Sequence, residues 1–259
     1  MIALIDGDLI AYRCAASIKP DETLEIGCGR IDQLMQTILV NVGAKSYYCF
    51  LSGSGNFRKH INPGYKAHRK DIEPPKHLED CREYLITQYG AKLAHNIEAD
   101  DKLGHNQGLN TVICSLDKDM LMIPGNHHSW EIRGTAPSGT EWIREAKTVV
   151  VKELEADKHF WKQMLIGDKA DDIVGVQGIG PKRADNYINP CEDNQECLEV
   201  VLDLYENDFD RIITNAHCLW IQRHDASFWT TDLNICLPVA MRGLNSKMEE
   251  TIMEYIHAS

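Results

Sequence analysis

The first half of the chain alternates short apolar runs with longer stretches in which apolar residues recur every three or four positions. Ile2–Ile5, Ser46–Leu51, Ala91–Asn96, Thr111–Ser115, His127–Arg133 and Thr148–Val151 read as strands. Several of these runs are continuous rather than alternating, as expected for strands covered on both faces, which predicts a parallel sheet between helical layers. Leu9–Ala16, Ile31–Val42 and Leu78–Tyr89 carry the helical period and supply the cover. Beyond Asp157 that period dominates, over Asp157–Ile166, Cys197–Tyr205, Phe209–His224 and Lys247–His257. The expected architecture is a three-layer α/β domain over residues 1–156 followed by a helical domain over 157–259.

Acidic residues interrupt this pattern at recurring places. Asp6 and Asp8 follow the first strand, Glu98, Asp100 and Asp101 follow the strand ending near Asn96, and Asp117 and Asp119 follow Thr111–Ser115. In open α/β sheets the carboxyl ends of strands are where ligands bind. Helix capping accounts for one or two such acids, but not for all of them. A further group, Asp168, Asp171 and Asp172, opens the segment GDKADDIVGVQGIGPKRA, Gly167–Ala184. Carboxylates gathered this closely raise one another's pKa unless cations neutralise them. Oxygen donors without a Cys or His partner select hard cations, Mg²⁺ or Mn²⁺. Two such ions roughly 3.5–4 Å apart activate a water and stabilise the leaving oxygen in phosphodiester hydrolysis.

Two other segments suit phosphate. The turn Gly178-Ile179-Gly180-Pro181 bares backbone N–H groups, opens a helix and is followed by Lys182 and Arg183. The run Arg58–Lys70 holds Arg58, Lys59, Lys66, Arg69 and Lys70, with Tyr65 and two histidines among them. A solvated surface loop is the plainer account of such a run. Beside an acidic centre it becomes a track for a phosphate backbone, with Lys66 or Arg69 adding positive charge at the scissile phosphate.

Composition alters this picture in two ways. A net charge of −12 is contrary to the usual basic footprint of a nucleic-acid binder, unless bound cations cancel part of it. The cysteines lack any C-x-x-C pair and are odd in number, 9, which speaks against a zinc module or disulfide framework and for a reducing cytoplasm. No apolar run is long enough to span a membrane and no signal peptide is read. His127 and His128 are expected at the surface rather than as ligands.

The order of these motifs resembles the flap endonuclease / 5′→3′ exonuclease superfamily, especially the bacteriophage exonucleases and the 5′-nuclease domain of bacterial DNA polymerase I. The matching segments are IDGDLIAYR (Ile5–Arg13), FRKHINPGYKAHRK (Phe57–Lys70), IEADD (Ile97–Asp101), SLDKDM (Ser115–Met120) and Gly167–Ala184. The resemblance covers roughly residues 1–190. It implies a PIN-like parallel sheet flanked by helices, with a C-terminal helical domain carrying a helix-hairpin-helix (helix–three-turn–helix) around Gly178–Gly180. It implies a two-metal-ion mechanism with Mg²⁺, for which Mn²⁺ substitutes. Asp6, Glu98, Asp100, Asp117 and Asp119 would serve the first ion and Asp168 and Asp171 the second, with Asp101 nearby. Lys66 matches the family's catalytic lysine, and Arg69 and Arg58 its arch-side basic positions. A K⁺ ion on the hairpin carbonyls is a further family feature. The implied partner is branched or nicked DNA with a free 5′ end, extending to an RNA–DNA hybrid, acted on by a monomer in a bacterial or infected-host cytoplasm. One departure stands out: the family carries an acid just after the second strand, where this chain reads Leu51-Ser52-Gly53-Ser54-Gly55, while Asp8 and Asp172 are additional acids.

Two other functions share some of these motifs. A haloacid-dehalogenase-type phosphatase would use Asp6 as nucleophile with Asp8, Ser115 and Asp172, leaving the basic run and the hairpin without roles. A non-catalytic helix-hairpin-helix DNA-binding protein would need only the hairpin, and its unfilled acids would repel DNA.

Overall fold

The computed structural model describes residues 1–225 and 227–258. In chain order the strands are β1 (Ile2–Asp6), β2 (Ser46–Ser52), β3 (Lys92–Ala94), β4 (Thr111–Cys114), β5 (Gly125–Ser129), β6 (Ile132–Thr135), β7 (Glu141–Arg144), β8 (Lys147–Val151), β9 (Gly167–Asp168) and β10 (Ile173–Val174). The helices are α1 (Gly7–Ser17), α2 (Leu24–Val42), α3 (Phe57–Ile61), α4 (Leu78–Tyr89), α5 (Ala99–Asn106), α6 (Glu153–Ile166), α7 (Pro181–Ile188), α8 (Asn194–Leu204), α9 (Phe209–Leu219), α10 (Trp229–Asp232) and α11 (Val239–His257).

The main sheet has six strands in the order β3-β2-β1-β4-β5-β8. The first five run parallel, and β8 joins the edge antiparallel to β5, pairing His127 with Val149. The expected parallel sheet is thus mostly parallel, with one reversed edge strand. The segment expected as a single strand, His127–Arg133, divides at Trp130 and Glu131 between β5 and the first strand of the β6–β7 hairpin. His127 and His128 lie inside rather than at the surface, at 5% and 3% exposure, on the inner strand β5.

Alternation along β1 divides the core. Ala3 and Ile5 face α1, α2 and α4 with Ile10, Ile31, Met35 and Leu85. Leu4 faces the other side with Phe50, Ile113, and Ala99 and Leu103 of α5. Burying such side chains is worth about 1.5–3 kcal/mol each before entropy is charged against it, so both faces must be covered. A separate core around Phe160, Trp161, Leu198, Ile212 and Trp229 joins α6, α8, α9 and α10. The expected boundary near residue 157 falls inside α6, whose first turn begins at Glu153. The C-terminal α11 returns to the first half, placing Ile252 against Phe57, Ala94 and Ile97.

Glycine is required where the acids meet the sheet. A Cβ on Gly7 would lie 2.6 Å from the Phe50 carbonyl oxygen, so only glycine lets α1 start directly at the end of β1. Gly167, at φ +74, brings the β9–β10 ribbon so close that a Cβ would lie 2.3 Å from Gly175 N.

Candidate active site

The carboxyl ends of β1 and β4, the start of α5 and the β9–β10 ribbon open onto one cleft of about 850 Å³. Asp6, Glu98, Asp100, Asp117, Asp119, Asp168 and Asp171 all line it, with Lys66 and Arg69. Acids separated by more than a hundred residues therefore share one wall.

Asp6 caps α1, accepting from Leu9 N at 3.0 Å, and its other oxygen accepts from Ser115 Oγ at 2.6 Å. It is cap and site residue at once. Burial, with help from Asp8 and Asp117, pushes its carboxyl up to about 7 against the lowering effect of those hydrogen bonds. With both oxygens engaged and 3% exposure, it is a poor nucleophile for a small phosphate ester, which counts against the phosphatase. Asp117 accepts from Asp119 N at 2.9 Å and opens a short 3₁₀ turn, Lys118–Met122. Burial and then Asp117 and Asp168 push Asp119 up to about 7. Asp100 is raised well above the carboxylate range by burial, Asp6, Glu98 and Asp117. For these acids burial and mutual repulsion outweigh the side chains that pull the other way, Ser115 on Asp6, Lys66 on Asp100 and Gln163 on Asp119.

The basic run reaches Glu98 and Asp171, although burial still raises Asp171 against the pull of Lys66 and the Tyr65 hydroxyl. Lys66 Nζ lies 2.5 Å from Glu98 Oε1 and 3.6 Å from Asp171 Oδ2. Burial would raise Glu98, but Lys66 and Arg58 outweigh it and hold the carboxyl low. Burial opposes the charge on Lys66, yet Glu98 and Asp171 keep its pKa raised. Arg69, half exposed, donates to Asp171 at 3.2 Å and to the Ala170 carbonyl at 3.3 Å. Lys66 and Asp172 both sit in the left-handed region, at φ 53 and 58. They belong to one clamp: Lys66 N donates to Asp171 O at 3.0 Å and His68 N to Asp172 Oδ2 at 3.0 Å. Asp172 is thus committed to the basic run. One 3₁₀ turn, Ala67–Asp71, is the only helix between Lys66 and Leu78 among the described residues.

Three expected contacts are corrected by burial. Asp101 is fully buried and receives both ends of the Arg58 guanidinium, at 2.7 and 2.8 Å. It also accepts from Glu98 N and Gln222 N, each at 3.0 Å. Its oxygens are spent, so it has none to give an ion. Arg58, 2% exposed, also donates to the carbonyls of Cys218 and Trp220, with Glu98 3.7 Å from Nη1. It lies at the floor of the cleft with its guanidinium tied to Asp101, and is not an exposed contact for DNA. Tyr65, also 2% exposed, donates its hydroxyl between Glu98 at 2.9 Å and Asp171 at 2.8 Å. It spaces two acids rather than stacking on a base. Lys70 remains at the surface.

The missing acid after β2 is met from another element. Asp8, on α1, accepts from Ser52 N at 2.8 Å and pairs with Arg82 of α4, so a carboxylate still stands at the end of β2. Sequence reasoning missed Arg82, and it missed Gln163, whose amide lies between Asp119 and Asp168. A polar residue on the buried side of α6, five before Asp168, was the available signal.

The glycine hairpin follows directly on the β9–β10 ribbon. Gly178 takes φ +77 and Gly180 is the N-cap of α7, with Pro181 in its first turn. Lys182 and Arg183 are exposed, and Arg183 donates to the Gly178 carbonyl at 2.9 Å. One hairpin carbonyl thus already accepts from a guanidinium.

The donor set suits a hard divalent cation: all oxygen, all anionic, and mutually repelling without one. Among the described residues no three of these side chains close into a ready-made cage. They line a shared cleft, which suits Mg²⁺ because that ion keeps several of its waters.

No family model matches the chain. The flap endonuclease Xni of Pseudoalteromonas translucida (strain TAC 125) is 26% identical over 242 residues, covering 87% of this chain and 89% of the relative. DNA polymerase I of Bacillus caldotenax is 27% identical over 205 residues, which are 71% of this chain but only 22% of the polymerase. Among solved structures, bacteriophage T5 flap endonuclease in a pseudo-enzyme–product complex with DNA and metal ions gives a TM-score of 0.53 at 17% identity, over 98% of both chains. At that identity the structural likeness is one of fold. The chain is similar over most of its length to flap endonucleases and 5′ nucleases, the superfamily that its motifs resemble, and its α/β fold is theirs.

Proposed function

We propose that this chain is a divalent-metal-dependent, structure-specific 5′ nuclease, acting as a 5′→3′ exonuclease and flap endonuclease on DNA. The observation that carries this reading is the gathering of acids from β1, α5, the turn after β4 and the β9–β10 ribbon around Lys66 in one cleft. Its substrates would be nicked or branched duplexes with a free 5′ end, with RNA–DNA hybrids as a further class. The similarity to proteins named flap endonuclease supports it.

Asp6, Glu98, Asp100, Asp117 and Asp119 would hold one cation and Asp168 and Asp171 a second; bound there, the pair supplies an activated water and a charge clamp on the leaving oxygen. The rest is done by the chain. Lys66 stays protonated between Glu98 and Asp171 and offers a fixed positive charge to the scissile phosphate. Arg69 adds a second at the rim. Tyr65 holds Glu98 and Asp171 apart. The hairpin N–H groups and Lys182 take the duplex backbone without reading sequence. The cleft then draws on both sides of residue 157, with Asp168 and Asp171 joining the acids of the first domain, while the hairpin beyond them takes the duplex.

The test uses 5′-labelled flap, nicked-duplex and RNA–DNA hybrid substrates with Mg²⁺ and with EDTA. Cleavage from the 5′ side with Mg²⁺ and none with EDTA is expected. Cleavage in EDTA, or turnover of a small phosphate ester but no DNA, would overturn the proposal.

A further inference from the structure

Gln163 lies on α6 where that helix packs against the 3₁₀ turn Lys118–Met122. It is 8% exposed, and it lines the cleft. Its Nε2 donates to Asp119 Oδ1 at 2.7 Å and to Asp168 Oδ2 at 3.3 Å. Its Oε1 is buried and has no hydrogen-bond partner in the structure. The amide direction is assigned from chemistry: turned over, it would aim a carbonyl oxygen at two carboxylates, which accept when ionised, as they are with a cation bound.

Asp119 and Asp168 belong to the two different acidic groups assigned to the two cations. Asp119 is carried by the turn after β4, and Asp168 by the β9–β10 ribbon, whose Oδ1 is fixed by Ala170 N at 2.6 Å. Gln163 joins them through one donor group. A neutral amide does this without filling the site, whereas Lys or Arg here would cancel charge that a cation needs. The orphaned carbonyl shows that the side chain is not placed to satisfy itself: it gives up an acceptor to put its donors on the acids.

We propose that Gln163 is a positioning residue that couples the two acidic groups, orienting Asp119 and Asp168 together so that two divalent cations bind at a fixed spacing. This rests on the metal-dependent reading above. Partners of this kind set ligand orientation, and losing one typically costs 10–100-fold in metal affinity.

The test is calorimetric titration of Mn²⁺ into the whole chain and into Gln163→Leu, which has no donor. Binding of about two Mn²⁺ to the parent is expected, with affinity about tenfold weaker in Gln163→Leu. Its melting temperature and its duplex binding in EDTA should stay close to the parent's, while kcat falls more than KM. A merely packing role would leave Mn²⁺ affinity alone. Where leucine fails to pack, Gln163→Met, apolar and unbranched, asks the same question. A folded variant binding Mn²⁺ as tightly as the parent overturns the coupling. A parent that binds no Mn²⁺ removes the metal reading itself, and the two failures are distinguishable.

Discussion

Asp100 and Asp101 are neighbours on one turn of α5, and their surroundings are opposite. Asp100 faces Asp6, Glu98 and Asp117 across the cleft and is driven upward by burial and like charge. Asp101 faces inward, where Arg58 overcomes its burial and holds it low. One acid is left for something brought from outside; the other is satisfied within the chain. The Arg58–Asp101 pair also ties three distant segments together, since Arg58 follows β2, Asp101 opens α5, and Cys218, Trp220 and Gln222 lie at the end of α9 and beyond it. Charge density alone therefore does not mark a site. What matters is whether the partner is already present.

The contrast is most sharply tested by Asp119→Asn. Loss of this cleft carboxylate should lower Mg²⁺-dependent cleavage by about a thousandfold or more, the scale of a group that stabilises developing charge. Binding to a nicked duplex, read by fluorescence anisotropy in EDTA, should survive. Full turnover would remove Asp119 from the ion site.

Arg58→Ala is the matching experiment on the buried side. It leaves Asp101 buried without its cation, and breaking such a pair costs about 3–5 kcal/mol. Urea denaturation in EDTA should register that loss, against a typical total of about 5–15 kcal/mol. A change under about 1 kcal/mol would mean that the pair is solvated and the contrast overstated.

A pH effect reads a buried neutral group away from the cleft. His217 is buried, with a ring nitrogen 3.1 Å from Asn245 Oδ1, and burial lowers its pKa from 6.5 to about 4. The unfolded chain therefore takes up a proton that the folded chain refuses. Stability from this residue is complete above about pH 6.5 and falls as the pH drops toward 4. The full swing is about 3 kcal/mol at 1.36 kcal/mol per unit. Denaturation of the parent and of His217→Gln at pH 7 and pH 5 should show the difference shrinking at the lower pH.

The smallest expected effect is on the hairpin. Lys182→Ala should weaken duplex binding about evenly across sequences and lower the salt slope by about one. An unchanged slope would take Lys182 off the DNA.

How much of this was legible beforehand follows the same division. Leu78–Tyr89 was read to both ends, because its apolar period runs unbroken to Gly90, which caps it at φ 63. Asp6, Glu98, Asp100, Asp117 and Asp119 were legible because they follow apolar runs, and strand ends in a parallel sheet share an edge; Asp168 and Asp171 were legible only from the acidic start of Gly167–Ala184. The fates of Arg58, Tyr65 and Asp101 were not. In sequence a buried arginine inside a basic run looks like its exposed neighbours, and its partners stand 43 and about 160 positions away. Gln163 carries no charge, and its only signal was a polar residue on the buried side of α6. The reversed direction of β8 was equally hidden, since alternation records which face is buried and not which way a strand runs.

The central claim is that the cleft acids await cations and that Asp101 does not. Calorimetric titration of Mn²⁺ into Asp100→Asn and Asp101→Asn, each confirmed folded by circular dichroism, compares the two neighbours directly. Asp100→Asn should lose or severely weaken binding at one site, and Asp101→Asn should keep the parent's stoichiometry despite lower stability. Equal losses in both, or loss only in Asp101→Asn, would contradict it.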